Sequence, residues 1–505
     1  MPILNWIGKE AVVNHDKEVP FRLLKKVKSL SYGENSQNLI IHGDNLEALK
    51  ALMPYYQGQV KCIYIDPPYN TGNEGWVYND KVNSPKIKKW LGKVVGSESE
   101  DLCRHDKWLC MMYPRLKLLK DLLSDDGVIF VSIDDSEITH LRNLMDEIFN
   151  ENNFLSQIIW HRKRGKDNSA KFFSRVHEYV LVYAKDISKA NIKKIGLDER
   201  TKKAYTNPDN DPRGVYRKLG AWARGTQGGS KYAFTSKSGK KFLERLWLVN
   251  KETMMRYDEE NRLYFVGDKV YRKLFLSEHA GAIPETIWLD TSNAANASDE
   301  IKALFGKQIF ETPKPTPLIE RIIQICTDGN DIILDSFAGS GTTGQAILDL
   351  NKEDRGNRKF ILVELEDKVA KEITRERIKK VIEKYGYNDG FEYCELDKPL
   401  FNQDGQIEQE CTFEQLATYI YFTETNTNID RKAISGNFIG GYDETEYYLI
   451  FKEKGKNILS KEFIKKLGKD SKRKVIYADK CLIDERTLEK HRIQFKQIPY
   501  EVKVY

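Results

Sequence analysis

A repeated arrangement restricts the fold of this chain more than any other feature. Short apolar runs end in an acid and are followed, directly or after a loop, by a segment with helical spacing. Leu39 to His42 precedes Asp44, Val60 to Ile65 precedes Asp66, Val128 to Ile133 precedes Asp134-Asp135, Ile332 to Leu334 closes at Asp335, and Phe360 to Val363 closes at Glu364. Runs of this length without polar alternation are buried on both faces, and helical segments between them signal a parallel sheet. Helices are expected over Asn45–Leu52, His105–Leu123, Ile138–Phe149, Leu318–Ile325, Gln345–Leu350 and Asp367–Lys384, with further strands at Phe154–Trp160 and His177–Tyr183. An open sheet of this kind gathers ligands at the C-terminal ends of its strands, where the acids stand.

The most specific string follows the strand Val60–Ile65. Asp66-Pro67-Pro68-Tyr69 places a carboxylate at the strand end, two residues that lack an N–H and fix φ, and then an aromatic ring. Carboxylate, rigid carbonyl and flat ring suit a planar base that bears an amino group: two acceptors take its N–H bonds and Tyr69 stacks on its face. Asp-Pro alone is ordinary loop punctuation; the whole string directly after a strand points to function. Asn73 to Ser99, polar and aromatic, is long enough to read as a functional loop. Trp108 and Met111-Met112 read as core residues. Asp44 suits either a ligand contact or a cap for the next helix.

A second site is written at residues 335–344. Strand, small-residue turn Ser336-Phe337-Ala338-Gly339-Ser340-Gly341-Thr342-Thr343-Gly344, helix, and then Glu364 some twenty positions on make a general nucleotide-cofactor pattern, with Glu364 placed to take ribose hydroxyls. No Gly-Lys-Ser/Thr is present, which argues against a nucleoside-triphosphate loop. The turn taken alone leaves a dehydrogenase open.

Between Trp160 and Phe310 the strand–helix alternation breaks. The stretch starts with Arg162, Lys163, Arg164 and Lys166, and later sets Arg213, Arg217, Lys218 and Arg224 among Tyr216, Trp222 and Tyr232. Such a run is often a solvated face, but basic residues interleaved with aromatics also suit a phosphate backbone and unstacked bases. With 505 residues the chain has room for two or three domains, and its net charge of +6 permits a polyanionic partner without requiring one. No apolar stretch has the length of a membrane span, and Met1–Glu10 does not look like a signal peptide. The seven cysteines are scattered without a CxxC pair, which argues for reduced thiols in a cytoplasm and against a zinc site.

Asp66-Pro67-Pro68-Tyr69 together with Phe337-Ala338-Gly339-Ser340-Gly341 resembles the S-adenosylmethionine-dependent amino-methyltransferases of DNA. The order, with the tetrad before the basic insertion and the glycine turn after it, resembles their β group. Ile41 to Leu46, Asp66 to Asn79 and Lys107 to Arg115 look more narrowly like the modification subunit of type III restriction systems; the likeness covers roughly residues 38–385. The resemblance implies an α/β fold: a Rossmann-like methyltransferase sheet of circularly permuted motif order, with an inserted target-recognition region and a small C-terminal α+β domain. Its expected parts are a lead-in (1–37), a catalytic half (38–160), the insertion (161–310, with strand 177–184 returning to the core), a cofactor half (311–387) and a C-terminal domain (388–505). It implies methyl transfer from S-adenosylmethionine to the N6 of a flipped adenine in double-stranded DNA. Asp66, Pro67, Pro68 and Tyr69 would be catalytic. Asp44, Lys314, Pro315, Asp335, Phe337, Ala338, Gly339, Ser340, Gly341, Thr342 and Glu364 would surround the cofactor. The Asp form of the tetrad is the family's adenine form, whereas cytosine-N4 enzymes more often carry Ser there. A homodimer and a helicase-nuclease restriction partner are further expectations. The rival readings are methylation of cytosine N4 or of RNA, and a DNA-binding specificity subunit that recruits a nuclease.

Overall fold

The structure is a computed structural model that describes residues 4–34, 36–71, 104–165, 170–197, 199–223, 228–387, 389–401, 407–408, 411–452, 457–467 and 472–498. The apolar runs become the strands of one ten-stranded sheet. In chain order these are β1 (Arg22–Lys26), β2 (Leu39–His42), β3 (Val60–Ile65), β4 (Leu123–Ile133), β5 (Phe154–His161), β6 (His177–Ala184), β7 (Ile287–Trp288), β8 (Ile332–Asp335), β9 (Lys359–Glu364) and β10 (Glu392–Pro399). Their order across the sheet is β1-β10-β2-β9-β8-β3-β4-β6-β5-β7.

The sheet is mixed rather than purely parallel. β10, β2, β9, β8, β3 and β4 run parallel, but β6 runs antiparallel to both β4 and β5, and β1 antiparallel to β10. The reason is local. Among its described residues the connection between β5 and β6 holds no crossover helix, so the chain must reverse. Helices α1 (Asn45–Tyr56), α2 (Arg104–Leu122), α3 (Ile138–Phe149), α4 (Ala294–Phe305), α5 (Thr316–Cys326), α6 (Thr342–Asp354) and α7 (Arg375–Tyr385) accompany the strands. The main core packs α1, α2 and α3 on the sheet through buried side chains such as Leu49, Leu116, Leu119, Leu144 and Phe149.

Some boundaries differ from those expected. β4 begins at Leu123, five residues before the expected Val128. α6 begins at Thr342, three residues before the expected Gln345. The sheet also takes strands from both presumed flanks: β1 from the lead-in 1–37, and β10 from the stretch after 388, whose first described residue is 389. Within the expected insertion only Ile192–Pro284 forms a separate compact unit; β7 and α4 belong to the larger one. The C-terminal part builds a four-stranded sheet from Phe438–Tyr442, Thr445–Leu449, Arg473–Ala478 and Ile493–Gln497, packed on helix Phe413–Thr425. No helix among the described residues is long and apolar enough to cross a membrane.

Candidate active site

β3 and β8 are neighbours, with Leu334 opposite Ile63. From β3 the chain continues to β4 on one side, and from β8 to β9 on the other, so the strand order reverses between them. A crevice opens at such a reversal. Asp66 and Asp335 follow from these neighbouring strands, and one cavity is lined by both of them together with Lys314, Phe337, Gly339 and Glu364. Two strings some 270 residues apart in sequence therefore serve a single space.

On the β8 side the turn is held by its own acids. Asp335 accepts from the Phe337 amide at 3.0 Å and from the Thr343 hydroxyl. Glu364, at the end of β9, accepts from the Gly339 amide at 2.9 Å and the Glu366 amide at 3.0 Å. A carboxylate has about four acceptor positions, so Glu364 keeps two for a ligand. Burial pushes both carboxyls up to about 7, against their hydrogen bonds. Gly339 takes φ +49° and Gly341 φ +80°. A Cβ on Gly341 would also approach the Thr374 carbonyl to 3.2 Å, so this turn tolerates only glycine there. The Ser336 hydroxyl lines the cavity, is buried, and finds no hydrogen-bond partner among the described residues.

On the β3 side the carboxylate is paired with a cation. Lys314 donates to both oxygens of Asp66, each at 2.7 Å, and to the Tyr69 hydroxyl at 2.8 Å. Glu178, from β6, accepts from Tyr69 at 3.0 Å and lies 3.6 Å from the Lys314 ammonium. Burial raises the Asp66 carboxyl above its ordinary value, opposed by Lys314. Burial opposes the Lys314 charge, yet Asp66 and Glu178 hold its pKa above the ordinary lysine value. The Pro68 carbonyl is already taken by the Trp108 indole N–H at 2.6 Å. Asn70 adopts φ 57° and donates to the Arg104 carbonyl at 3.1 Å and to buried Glu137, which also contacts His105 at 2.6 Å and His140 at 2.9 Å. The tetrad is thus braced from both ends.

Most of the expected residues converge. Asp44, Asp66, Pro68, Lys314, Asp335, Phe337, Ala338, Gly339, Ser340, Thr342 and Glu364 line the cavity. Pro67, Tyr69, Pro315 and Gly341 are not in its wall: Tyr69 stands behind Lys314, Pro315 caps the start of α5, and Gly341 caps α6. Lys314, expected among the cofactor residues, makes its bonds to the tetrad. Asp44 caps α1 through the Leu46 amide at 2.9 Å and also lines the cavity. It is also paired with buried Arg115 at 3.2 Å. Met111 and Met112 both lie in the core, as read, and Met111 also reaches the cavity wall.

Three contributors were not anticipated. Glu178 and Trp108 brace the tetrad, and Arg377 of α7 organises the glycine turn. The fully buried Arg377 guanidinium donates to Ser340 at 3.0 Å, Thr342 at 2.8 Å and Gln345 at 2.8 Å, and lies 3.2 Å from Glu300 of α4. A charged helix such as 367–384 hides one inward arginine among many outward lysines; the available signal was its position on the apolar stripe with Ile378 and Val381.

The basic residues divide. Arg162 pairs with Glu178 at 2.7 Å, Lys163 and Arg164 are exposed, and Lys166 and Arg224 lie outside the described residues, as does the loop 73–99. Within the unit 192–284, Arg213 is committed to Asp211 through two bonds, at 2.9 and 2.8 Å, and to the carbonyls of Glu260 and Asn261. Arg217 and Lys218 are exposed. The aromatics expected as stacking platforms are spent on that unit's own packing. Tyr216 is fully buried, and Trp222 and Tyr232 pack against the cluster around Trp247 and Phe242.

Residues 60–376 match the family model described as DNA methylase. The chain belongs to the DNA methylase family. It is 36% identical over 389 residues to the type III restriction-modification enzyme StyLTI Mod subunit of Salmonella typhimurium, covering 72% of this chain and 59% of that protein. It is 33% identical over 448 residues to the EcoPI Mod subunit of Escherichia phage P1, covering 75% and 68%. The type II methyltransferase M.KpnI of Klebsiella pneumoniae is 33% identical over 375 residues, covering 69% of this chain and 85% of that protein. The chain thus spans under two thirds of the StyLTI subunit's length and most of M.KpnI's.

Proposed function

We propose that this DNA methylase transfers a methyl group from S-adenosylmethionine to the N6 of an adenine within a specific site in double-stranded DNA, as the modification half of a type III restriction system. The observation that carries the reading is the shared cavity: the carboxylate of an Asp-Pro-Pro-Tyr string and a glycine turn with its ribose-spaced acid open onto the same space. The cavity fits the cofactor on its own chemistry. Glu364 keeps acceptor positions beyond its two amide partners, and Ser336, whose hydroxyl is unclaimed among the described residues, lines the same cavity. When bound, the cofactor supplies an electrophilic methyl group.

The chain's own residues then do four things. Asp66 and the backbone at Pro67 accept the amino N–H bonds and stabilise positive charge as it develops on N6. Tyr69 stacks on the base, replacing neighbours lost when adenine leaves the duplex. Lys314, now bonded to Asp66, yields that carboxylate to the incoming amino group and can remain on Tyr69 and Glu178. The narrow crevice holds base and cofactor in register, which supplies much of the acceleration. Exposed Arg164, Arg217 and Lys218 are the proposed phosphate contacts. A homodimer and a helicase-nuclease partner belong to the same proposal; a further subunit is supported by the type III relatives, which are named as Mod subunits of larger enzymes.

Methylation-sensitive sequencing of DNA from a host expressing the gene tests this directly. N6-methyladenine at one short sequence is the expected result. N4-methylcytosine, or unmodified DNA, would overturn it.

A further inference from the structure

The connection between β5 and β6 rises from the edge of the sheet that carries the catalytic tetrad. Its ends are fastened there: the Arg162 amide donates to the Val176 carbonyl at 2.9 Å, Arg162 pairs with Glu178, and Glu178 holds Tyr69. Arg175 lies 3.4 Å from Asp135 at the end of β4, and Tyr179 donates to the same carboxylate at 2.9 Å. Just beyond this anchored base stand Phe172 and Phe173, which are 82% and 89% exposed. Two adjacent phenylalanines left in water cost hydrophobic free energy, and such exposure marks a contact surface. The flanking residues are cationic: Lys171, whose ammonium lies 5.2 Å from the Phe172 ring, Arg175 and exposed Arg164. These neighbouring cations favour a polyanion over an apolar protein partner.

We infer that Phe172 and Phe173 are a wedge that enters duplex DNA beside the target adenine and fills the stack it vacates. The inference rests on the DNA reading above and names the part of the chain that performs the opening. Two residues, Ser174 and Arg175, separate Phe173 from Val176, a span of at most roughly 11 Å when extended, so the rings cannot stray far from the anchored base of the connection. Apolar side chains inserted between base steps unstack them, and the surrounding cations offset the phosphates brought close by the insertion. Tyr69 and the wedge then have complementary tasks: one stacks on the base that leaves, the other on the neighbours it leaves behind.

The test uses the full chain and two oligonucleotide duplexes carrying the site found by sequencing. One has the target adenine paired with thymine; the other has an abasic position opposite it, so that the adenine is already loosened. The doubly substituted protein, Phe172→Ala with Phe173→Ala, should lose at least tenfold in kcat/KM on the paired duplex. On the abasic duplex it should stay within threefold of the wild type. The doubly substituted Phe172→Trp, Phe173→Trp protein should retain activity on both. S-adenosylmethionine binding and the unfolding midpoint, measured alongside, confirm an intact fold. Equal loss on the two duplexes, or no loss on either, overturns the wedge, and the latter outcome would leave the rings for a protein partner. A wild-type protein that methylates neither duplex overturns the proposed function and the wedge with it, whereas an active wild type with an indifferent variant overturns the wedge alone.

Discussion

Asp66 and Asp335 make an instructive pair. Each ends an apolar strand, the strands are neighbours, and both carboxyls face one cavity. Their partners differ. Asp66 is held by the Lys314 ammonium, whereas Asp335 has only a hydroxyl and a backbone amide, and burial lifts it to about 7. Two carboxylates in one site are given different tasks by their surroundings, a pattern known from acid–base enzymes. In the proposed mechanism the ion-paired one serves the base as its amino group becomes positive. The other shapes the turn through its bonds to the Phe337 amide and the Thr343 hydroxyl.

The largest effect should come from Asp66→Asn. Loss of the charged acceptor removes stabilisation present only as N6 becomes positive, so the single-turnover transfer rate should fall by at least about 100-fold. Asp335→Asn should cost less than tenfold by the same assay; a loss equal to that of Asp66→Asn would erase the distinction. Tyr69→Ala comes next, weakening binding of a flipped base by about 1–3 kcal/mol, read as a rise in DNA KM.

Smaller effects concern pH. Asp335 and Glu364 titrate near 7, and their ionised forms suit a cationic cofactor that also donates ribose hydroxyls. Cofactor affinity, measured by calorimetry, should therefore tighten by about threefold to tenfold between pH 6 and 8, with proton release on binding near pH 7. The stability sign is opposite. A carboxyl whose folded pKa is raised binds more protons folded than unfolded, so its cost is complete above about 7 and fades towards pH 4. Asp335→Asn should raise the unfolding midpoint at pH 8 and leave it nearly unchanged at pH 4. A gain at both would mean that something other than charge burial is relieved.

Much of this site is legible in the sequence because its residues sit where strand patterns end. Asp66, Asp335 and Glu364 each follow an apolar run, and small residues mark the turn between strand and helix. What the sequence conceals is contact across distance. The bond from Lys314 to Asp66 spans 248 positions, and that from Glu178 to Tyr69 spans 109; no local period encodes either. Tyr216, Trp222 and Tyr232 show the converse error. A basic and aromatic composition looks the same whether the rings stack on bases or pack on Trp247, and only burial separates the two. The reversed β6 is hidden for a similar reason, since a buried strand reads alike in either direction.

The account depends on one division of labour across the crevice, and cofactor affinity measured on two variants tests it most directly. Asp66→Asn should bind S-adenosylmethionine within about threefold of the wild type, since its carboxylate serves the base, while Glu364→Gln should bind it at least about tenfold more weakly through loss of a charge-assisted acceptor. If Asp66→Asn loses the cofactor as severely as Glu364→Gln does, the two strand ends do not divide base from cofactor, and the mechanism built on that division is wrong.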